Sequence, residues 1–141
     1  MMSALDISTS ALVAQRVRMD TVSSNLANMS SLTRNANGEM EPYQAKYPIF
    51  QTDDKIATSQ GATGVKVASI QTEKIEPNYR WQPEHPYAIK EGPRAGYVAY
   101  PKINMMAEMV DALVASRAYE ANIGAMEITK NMATQSLRIL A

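Results

Sequence analysis

The sequence predicts a mainly α protein with a small β part, in which long N- and C-terminal helices pair as an α-helical coiled coil. A small β-hairpin and loop domain is expected between them. Residues 1–33 contain neither glycine nor proline, and residues 102–141 contain only Gly124. All seven prolines and five of the six glycines lie in residues 34–101. Because these residues interrupt helices, the chain divides into an N-terminal helix region, a middle domain and a C-terminal helix region at those boundaries.

The N-terminal segment predicts a helix from about Ala4 to about Met29. Large apolar side chains recur in it every seven residues, at Leu5, Leu12, Met19 and Leu26. Val22 occupies the intermediate position of this heptad, whereas Ser8 and Gln15 interrupt that position earlier in the segment. The apolar stripe is therefore narrow, which is typical of a seam between two helices rather than of a buried helix.

The C-terminal segment predicts a longer helix, capped by Asn104 and running from Met105 to about Leu140. Nine of the eleven positions reached by alternating steps of four and three residues are apolar. The eleven positions are Met105, Met109, Ala112, Ser116, Tyr119, Ile123, Met126, Lys130, Ala133, Leu137 and Leu140. At 1.5 Å per residue this helix would be about 54 Å long and its N-terminal counterpart about 39 Å. A compact globule of this chain length has a radius of gyration of about 14 Å. We therefore expect the two seams to stay partly exposed in a monomer and to need partners.

The middle domain predicts short strands and loops. Alternating side chains around Tyr47 and again at Val65 and Val67 indicate two strands, and the turn Gly61–Gly64 lies between them. One β-hairpin or mini-sheet is expected there. The segment from Pro77 to Pro101 contains five prolines and is expected to be an ordered but irregular loop.

The composition argues against several functional classes. There is no cysteine, and the only histidine, His85, lies between two prolines with no nucleophile motif nearby. We therefore expect no enzyme activity, no cofactor and no metal. Fourteen basic and fourteen acidic residues without a basic cluster argue against nucleic acid as a partner. No apolar run approaches the ~20 residues of a membrane-spanning helix, and the N-terminus lacks the features of a cleavable signal peptide.

Two motifs resemble those of a known family. Ser24-Asn25-Leu26-Ala27-Asn28 is similar to the Asn-rich motif that closes the N-terminal helix in axial proteins of the bacterial flagellum. Arg117, followed by Ala118-Tyr119-Glu120-Ala121-Asn122, is similar to the C-terminal motif of rod and hook proteins. The short length and the Gly96-Tyr97-Val98 segment resemble the short proximal-rod proteins in particular.

The resemblance implies a structural subunit of the basal-body proximal rod, the hollow drive shaft that transmits torque from rotor to hook and encloses the export channel. The implied partners are further copies of the chain, other rod subunits, the adaptor that joins the rod to a membrane ring, and the flagellar type III export apparatus. The implied location is the rod where it crosses the periplasm, reached without a cleavable signal peptide. Two alternatives stay open: a sister proximal-rod subunit and a soluble helical adaptor.

The expected assembly residues belong to the two motifs and the two seams. The complete set is Leu5, Leu12, Met19, Val22, Ser24, Asn25, Leu26, Ala27, Asn28, Met109, Ala112, Arg117, Tyr119, Glu120, Ala121, Asn122, Ile123 and Met126. The apolar members of the N-terminal seam are expected to interlock with those of the C-terminal seam. Asn25, Asn28 and Asn122 are expected to satisfy polar groups at subunit contacts, and the middle sheet is expected to form the outer layer of the assembly.

Overall fold

The computed structural model describes residues 2–34, 36, 40–58 and 61–140, with the backbone alone at residues 2, 3 and 140. These residues form two helices, one towards each end of the chain, and six strands between them. The elements are α1 (Met2–Ala27), β1 (Leu32–Arg34), β2 (Met40–Pro42), β3 (Lys46–Ala57), β4 (Thr63–Thr72), β5 (Asn78–Trp81), β6 (Tyr97–Tyr100) and α2 (Met105–Leu140).

Both predicted helices are present, with ends close to those expected. The side-chain oxygen of Asn104 accepts hydrogen bonds from the backbone N–H groups of Met106, at 3.0 Å, and Ala107, at 3.3 Å. These bonds satisfy two of the free N–H groups at the start of α2 and confirm Asn104 as its N-cap. Glu108 in the first turn and Arg138 in the last have the charges that the helix dipole favours.

Helix α1 lies between α2 and the β3–β4 hairpin and contacts both of them. Asn25 near the end of α1 contacts Glu108 near the start of α2, and Arg18 contacts Asp111 further along. Residue numbers fall along one helix as they rise along the other, so the two helices are antiparallel. Ala115 of α2 is fully buried, and the buried Ala14 of α1 lines a groove between α1 and the β3–β4 hairpin.

The predicted fold class is wrong in its β part. Instead of one small hairpin and a loop, the described residues of the middle domain form three separate two-stranded antiparallel sheets: β1–β2, β3–β4 and β5–β6. The predicted hairpin exists as β3–β4, with Tyr47 opposite Gln71 and an irregularity between Ile49 and Phe50. The coiled-coil pairing of the terminal helices is not confirmed, because α1 also packs against β3–β4 and is not part of a simple helix pair.

The missed sheets lack the alternating apolar pattern by which strands are recognised. In β5–β6, where Arg80 lies opposite Val98, only Val98 is fully buried. Gly96, with φ of +84°, ends the intervening loop directly against the ring of Trp81. The loop between the strands contains the prolines that suggested an irregular segment. Strands β1 and β2 have three residues each, too few to produce any periodicity.

The β3–β4 hairpin docks on α1 at a point of close backbone approach. The backbone N–H of Val65 donates a hydrogen bond of 3.0 Å to Oγ of Ser10 on α1. At the neighbouring Gly64, an added Cβ would lie 2.9 Å from that Oγ and 3.0 Å from Cβ of Ile56. Glycine is therefore required here because there is no room for a side chain between the strand and the helix.

Candidate assembly surface

The side of α2 that faces away from α1 carries a continuous apolar surface over its first three turns. We call this surface the outer α2 face. Its side chains are between 47% and 67% exposed, and they are Met105, Met106, Met109, Val110, Leu113 and Val114. A single exposed apolar residue is ordinary, but a cluster of large ones on one helix face indicates an interaction surface.

Exposed apolar residues continue along α2 beyond this face. The ion pair of Arg117 and Glu120, with 3.7 Å between Nη1 and Oε2, interrupts them in the middle of the helix. Further along, the exposed large side chains are Ile123, Ile128, Met132, Leu137 and Ile139. Helix α2 is ten residues longer than α1, since the two contain 36 and 26 residues.

The accessible surface of the whole chain is larger than a compact monomer of this mass would have. It measures 10072 Å² for a chain of 15.5 kDa. A compact folded monomer of that mass exposes about 7,200 Å², so the excess is about 2,900 Å². A standard protein–protein interface takes about 800 Å² from each partner. The excess is therefore enough for contacts with more than one neighbour.

The side of α2 that packs within the subunit differs from the predicted seam. Ala112, Tyr119 and Met126 are half-buried, as the predicted seam requires, but Met109 and Ile123 are exposed. Ala115, which the predicted seam omits, is fully buried. The alternating steps of four and three residues therefore identify only part of the packed side of α2.

A shallow apolar groove lies between the free end of α1 and the second half of α2. Its volume is about 400 Å³, and Leu5, Leu12, Ile123 and Met126 line it together with Glu127 and Lys130. The structure thus brings four of the predicted seam residues together around one open groove. They do not form a closed apolar core at this end of the molecule.

Asn25, the central residue of the N-terminal motif, joins three segments of the chain. It is 2% exposed. Its side-chain Nδ2 donates to the carbonyl of Lys46, at 2.8 Å, and to Oε2 of Glu108, at 3.1 Å. Its Oδ1 accepts from the backbone N–H of Lys46, at 2.9 Å, and from the hydroxyl of Tyr43, at 3.2 Å. Both N–H groups and the oxygen of the amide are therefore hydrogen-bonded within the chain itself.

The other two asparagines of the motifs also bond within their own helices. The Nδ2 of Asn28 donates to the carbonyl of Ser24, at 2.9 Å, and that of Asn122 donates to the carbonyl of Ala118, at 2.8 Å. Both residues are half-buried, unlike Asn25. Among the described residues, no donor forms a hydrogen bond with the Oδ1 atom of Asn28 or of Asn122.

The complete set of predicted assembly residues falls into two groups by exposure. Those that are buried or half-buried in the subunit are Leu5, Leu12, Met19, Val22, Ser24, Asn25, Leu26, Asn28, Ala112, Tyr119, Asn122 and Met126. Those that are exposed are Ala27, Met109, Arg117, Glu120, Ala121 and Ile123. Only the second group is free, in the subunit as it stands, to meet a neighbour with most of its surface.

Sequence reasoning missed most of the outer α2 face and both polar contacts between the helices. Met106, Val110 and Leu113 follow each other at steps of four and three residues, so a second apolar stripe was readable beside the chosen one. The pairing of Glu108 and Asp111 with residues of α1 depends on the antiparallel packing, which no local pattern contains.

Neither a metal site nor a membrane-spanning helix is found in the part of the chain that the structure describes. No group of three or more His, Cys, Asp or Glu side chains is placed there to hold a metal ion. His85 lies in a turn, where its Nδ1 accepts a hydrogen bond of 3.2 Å from the backbone N–H of Tyr87. Of the helices in those same described residues, neither is long and apolar enough to cross a membrane.

Comparison with known families places both ends of the chain in one class of protein. Residues 5–37 match the family described as flagella basal body rod protein. Residues 94–139 match the C-terminal family of the flagellar basal body rod FlgEFG proteins. The class is therefore that of flagellar basal-body rod proteins, which are structural.

Full-length relatives identify the family within that class. The flagellar basal-body rod protein FlgC of Bacillus subtilis is 41% identical over 96% of this chain and 95% of its own length. FlgC of Borreliella burgdorferi is 36% identical, covering 98% and 96%. FlgC of Salmonella typhimurium is 36% identical, covering 99% and 97%. The chain belongs to the FlgC family and is a structural subunit of the flagellar basal-body rod.

Proposed function

We propose that this rod subunit polymerises in the proximal rod mainly through the outer α2 face, as part of the hollow drive shaft that transmits torque and encloses the export channel. The observation that carries the proposal is the group of large apolar side chains that α2 exposes along its length. Burying such side chains against neighbours is favourable by about 1.5–3 kcal/mol each when burial is complete.

A contact between the outer α2 face of one subunit and the groove of the next would also favour a polymer. The outer α2 face and the groove lined by Leu5 and Leu12 are different surfaces of one subunit. A contact between two different surfaces is heterologous, and such contacts build rings or open helical filaments. A shaft with many shallow contacts of this kind distributes torque over several neighbours.

The proposal includes the exposed residues of the motifs and of the C-terminal seam as parts of the contact surface: Ala27, Met109, Arg117, Glu120, Ala121 and Ile123. It also includes the partners that the resemblance implies: other rod subunits, the adaptor at the membrane ring and the flagellar type III export apparatus. We place the working subunit in the rod where it crosses the periplasm, after export without a cleavable signal peptide. Membership of the rod protein family supports these parts of the proposal.

The test adds one negative charge to the outer α2 face. Leu113 is exposed in the middle of that face, so Leu113→Asp should leave the fold of the subunit intact and prevent burial against a neighbour. The matched control, Ser23→Asp, adds the same charge at an exposed position of α1. Both variants replace the chromosomal copy, and rod formation in purified basal bodies and swimming in soft agar are measured.

We expect Leu113→Asp to abolish rod completion and motility while Ser23→Asp retains both. Circular dichroism and urea unfolding of the purified subunits should show similar stability for the two variants. Normal rods in the Leu113→Asp strain would contradict the proposed surface.

A further inference from the structure

We propose that two polar contacts, Asn25 with Glu108 and Arg18 with Asp111, set the register in which α2 lies along α1. The first joins Nδ2 of Asn25 to Oε2 of Glu108 at 3.1 Å, and the second joins Nη2 of Arg18 to Oδ1 of Asp111 at 2.6 Å. They are the contacts between charged or amide side chains that the described parts of the two helices make with each other. We call them the two polar rungs.

The apolar residues alone specify this register poorly. On α2 four half-buried side chains recur every seven residues: Ala112, Tyr119, Met126 and Ala133. On α1 the apolar residues at 5, 12, 19 and 26 repeat with the same period. If α2 moved by seven residues, about 10.5 Å along its axis, each position of this series would receive another apolar residue of the series. Within the series the packing would change in shape but not in polarity, whereas the place of the fully buried Ala115 would receive Asn122 or Glu108.

The polar rungs do not repeat in this way. A shift by seven residues in one direction brings Ala115 to the place of Glu108 and Ala118 to the place of Asp111. The guanidinium of Arg18 and the second N–H of the Asn25 amide would then face methyl groups. A shift in the opposite direction brings Pro101 and Asn104 to those places, ahead of the first residue of α2. Only the observed register pairs both polar groups of α1.

The burial of Asn25 increases the free-energy difference between the observed register and a shifted one. Its amide is 2% exposed, and two of its bonds hold the backbone of Lys46 at the start of β3. The amide cannot turn to water when Glu108 is absent without breaking those bonds. Leaving a buried polar group without its partner costs more free energy than a typical hydrogen bond contributes to stability. Buried polar pairs are known to select one register among similar apolar packings.

The consequence for assembly is geometric. The register decides how far α2 extends beyond the free end of α1, and therefore where the exposed residues from Ile128 onward are presented to neighbours. Arg18, Asn25, Glu108 and Asp111 act in this way as positioning residues. They do so whether or not the outer α2 face is the surface through which the subunit polymerises.

Disulfide trapping tests the register directly because the chain contains no cysteine. Leu12→Cys with Ile123→Cys reports the observed register, since both side chains line one groove. Met19→Cys with Ile123→Cys reports the shift in which Ala115 replaces Glu108, because Met19 lies seven residues beyond Leu12 along α1. Each pair is oxidised in the purified full chain, and the cross-linked fraction is measured on non-reducing gels.

In the otherwise native chain we expect only the first pair to cross-link. In a chain that also carries Arg18→Leu, Glu108→Leu and Asp111→Leu, we expect cross-linking of the Met19 pair to rise about tenfold, as loss of about 1.4 kcal/mol of bias would produce. A purely stabilising role would lower the unfolding midpoint without any cross-link of the Met19 pair. That result, or native cross-linking alone in the triple variant, would overturn the proposal.

A charge reversal keeps the test informative if the triple variant fails to fold. Arg18→Asp and Asp111→Arg are each expected to raise cross-linking of the Met19 pair, because each places like charges opposite one another. The double variant Arg18→Asp with Asp111→Arg restores the ion pair and should return cross-linking to the Leu12 pair alone. If the double variant cross-links in the shifted register as much as the single variants do, Arg18 and Asp111 do not set the register.

Discussion

The two terminal helices carry similar apolar repeats but have very different surroundings. Helix α1 is packed on one side by α2 and on another by the β3–β4 hairpin, whereas α2 is packed by α1. Among the described residues, eleven large apolar side chains are exposed on α2 and one, Val13, on α1. Helix α1 is therefore the scaffold of the subunit, and α2 is the helix that offers surface to other molecules.

The difference shows that a seven-residue repeat does not by itself identify an interface. The same spacing is used on α1 for packing within the subunit, and on α2 it includes residues that stay exposed. What distinguishes the two cases is the number of elements packed on each helix. Helix α1 is covered by both α2 and the β3–β4 hairpin, whereas α2 is covered mainly by α1 and leaves many large side chains exposed.

The strongest test of α1 as the scaffold is Asn25→Asp. This change removes both N–H donors of the amide and places a buried carboxylate 3.1 Å from that of Glu108. We expect the free energy of unfolding to fall by about 3–5 kcal/mol, the usual cost of an uncompensated buried charge. Urea unfolding at neutral pH measures it. The control Asn131→Asp makes the same change at an exposed position of α2 and should cost less than about 0.5 kcal/mol.

A second test compares two glycines: Gly64 of β4, which is packed against α1, and Gly124 of α2, which has open space around it. Gly64→Ala would force β4 away from Ser10 and Ile56, so we expect a loss of about 1–3 kcal/mol. At Gly124 in α2 an added Cβ has no neighbour within 4 Å, so Gly124→Ala should gain about 1 kcal/mol through helix propensity. Thermal unfolding of both variants checks this. Equal effects of the two substitutions would mean that the hairpin is not tightly docked on α1.

A third test concerns a polar atom within α1 itself. Oε1 of Gln15 is shielded from solvent and has no hydrogen-bond partner in the described part of the structure. Replacing an unsatisfied buried polar group by an apolar one of similar size removes its desolvation cost, so Gln15→Leu should stabilise the subunit by about 1 kcal/mol. The same change at the exposed Gln135 should have no measurable effect on the urea midpoint. A destabilised Gln15→Leu variant would show that this amide has a partner after all.

Sequence reasoning predicted the elements whose signals are local. The absence of breakers and the cap at Asn104 were enough to place α2, and the alternation at Val65 and Val67 was enough to place β3–β4. The β5–β6 sheet depends on pairing between strands that are separated by a proline-containing loop, and only Val98 in it is fully buried. The contacts of Asn25 depend on three segments meeting in space. No local pattern contains either of these, although the motif itself pointed to the residue.

The smallest expected effect on the subunit is at the ion pair that interrupts the exposed apolar residues of α2. Arg117 and Glu120 are 3.7 Å apart with side chains 76% and 63% exposed, so the pair contributes less than about 0.5 kcal/mol to folding. Arg117→Ala should leave the unfolding of the isolated subunit unchanged. If α2 offers its surface to neighbours, the same variant should reduce recovery of the subunit in purified basal bodies, because truncating a charged residue that becomes buried in an interface costs about 2–5 kcal/mol. Arg16→Ala is the matched control, because it makes the same change at an exposed position of α1. Equal recovery of both variants would place Arg117 outside the contact surface.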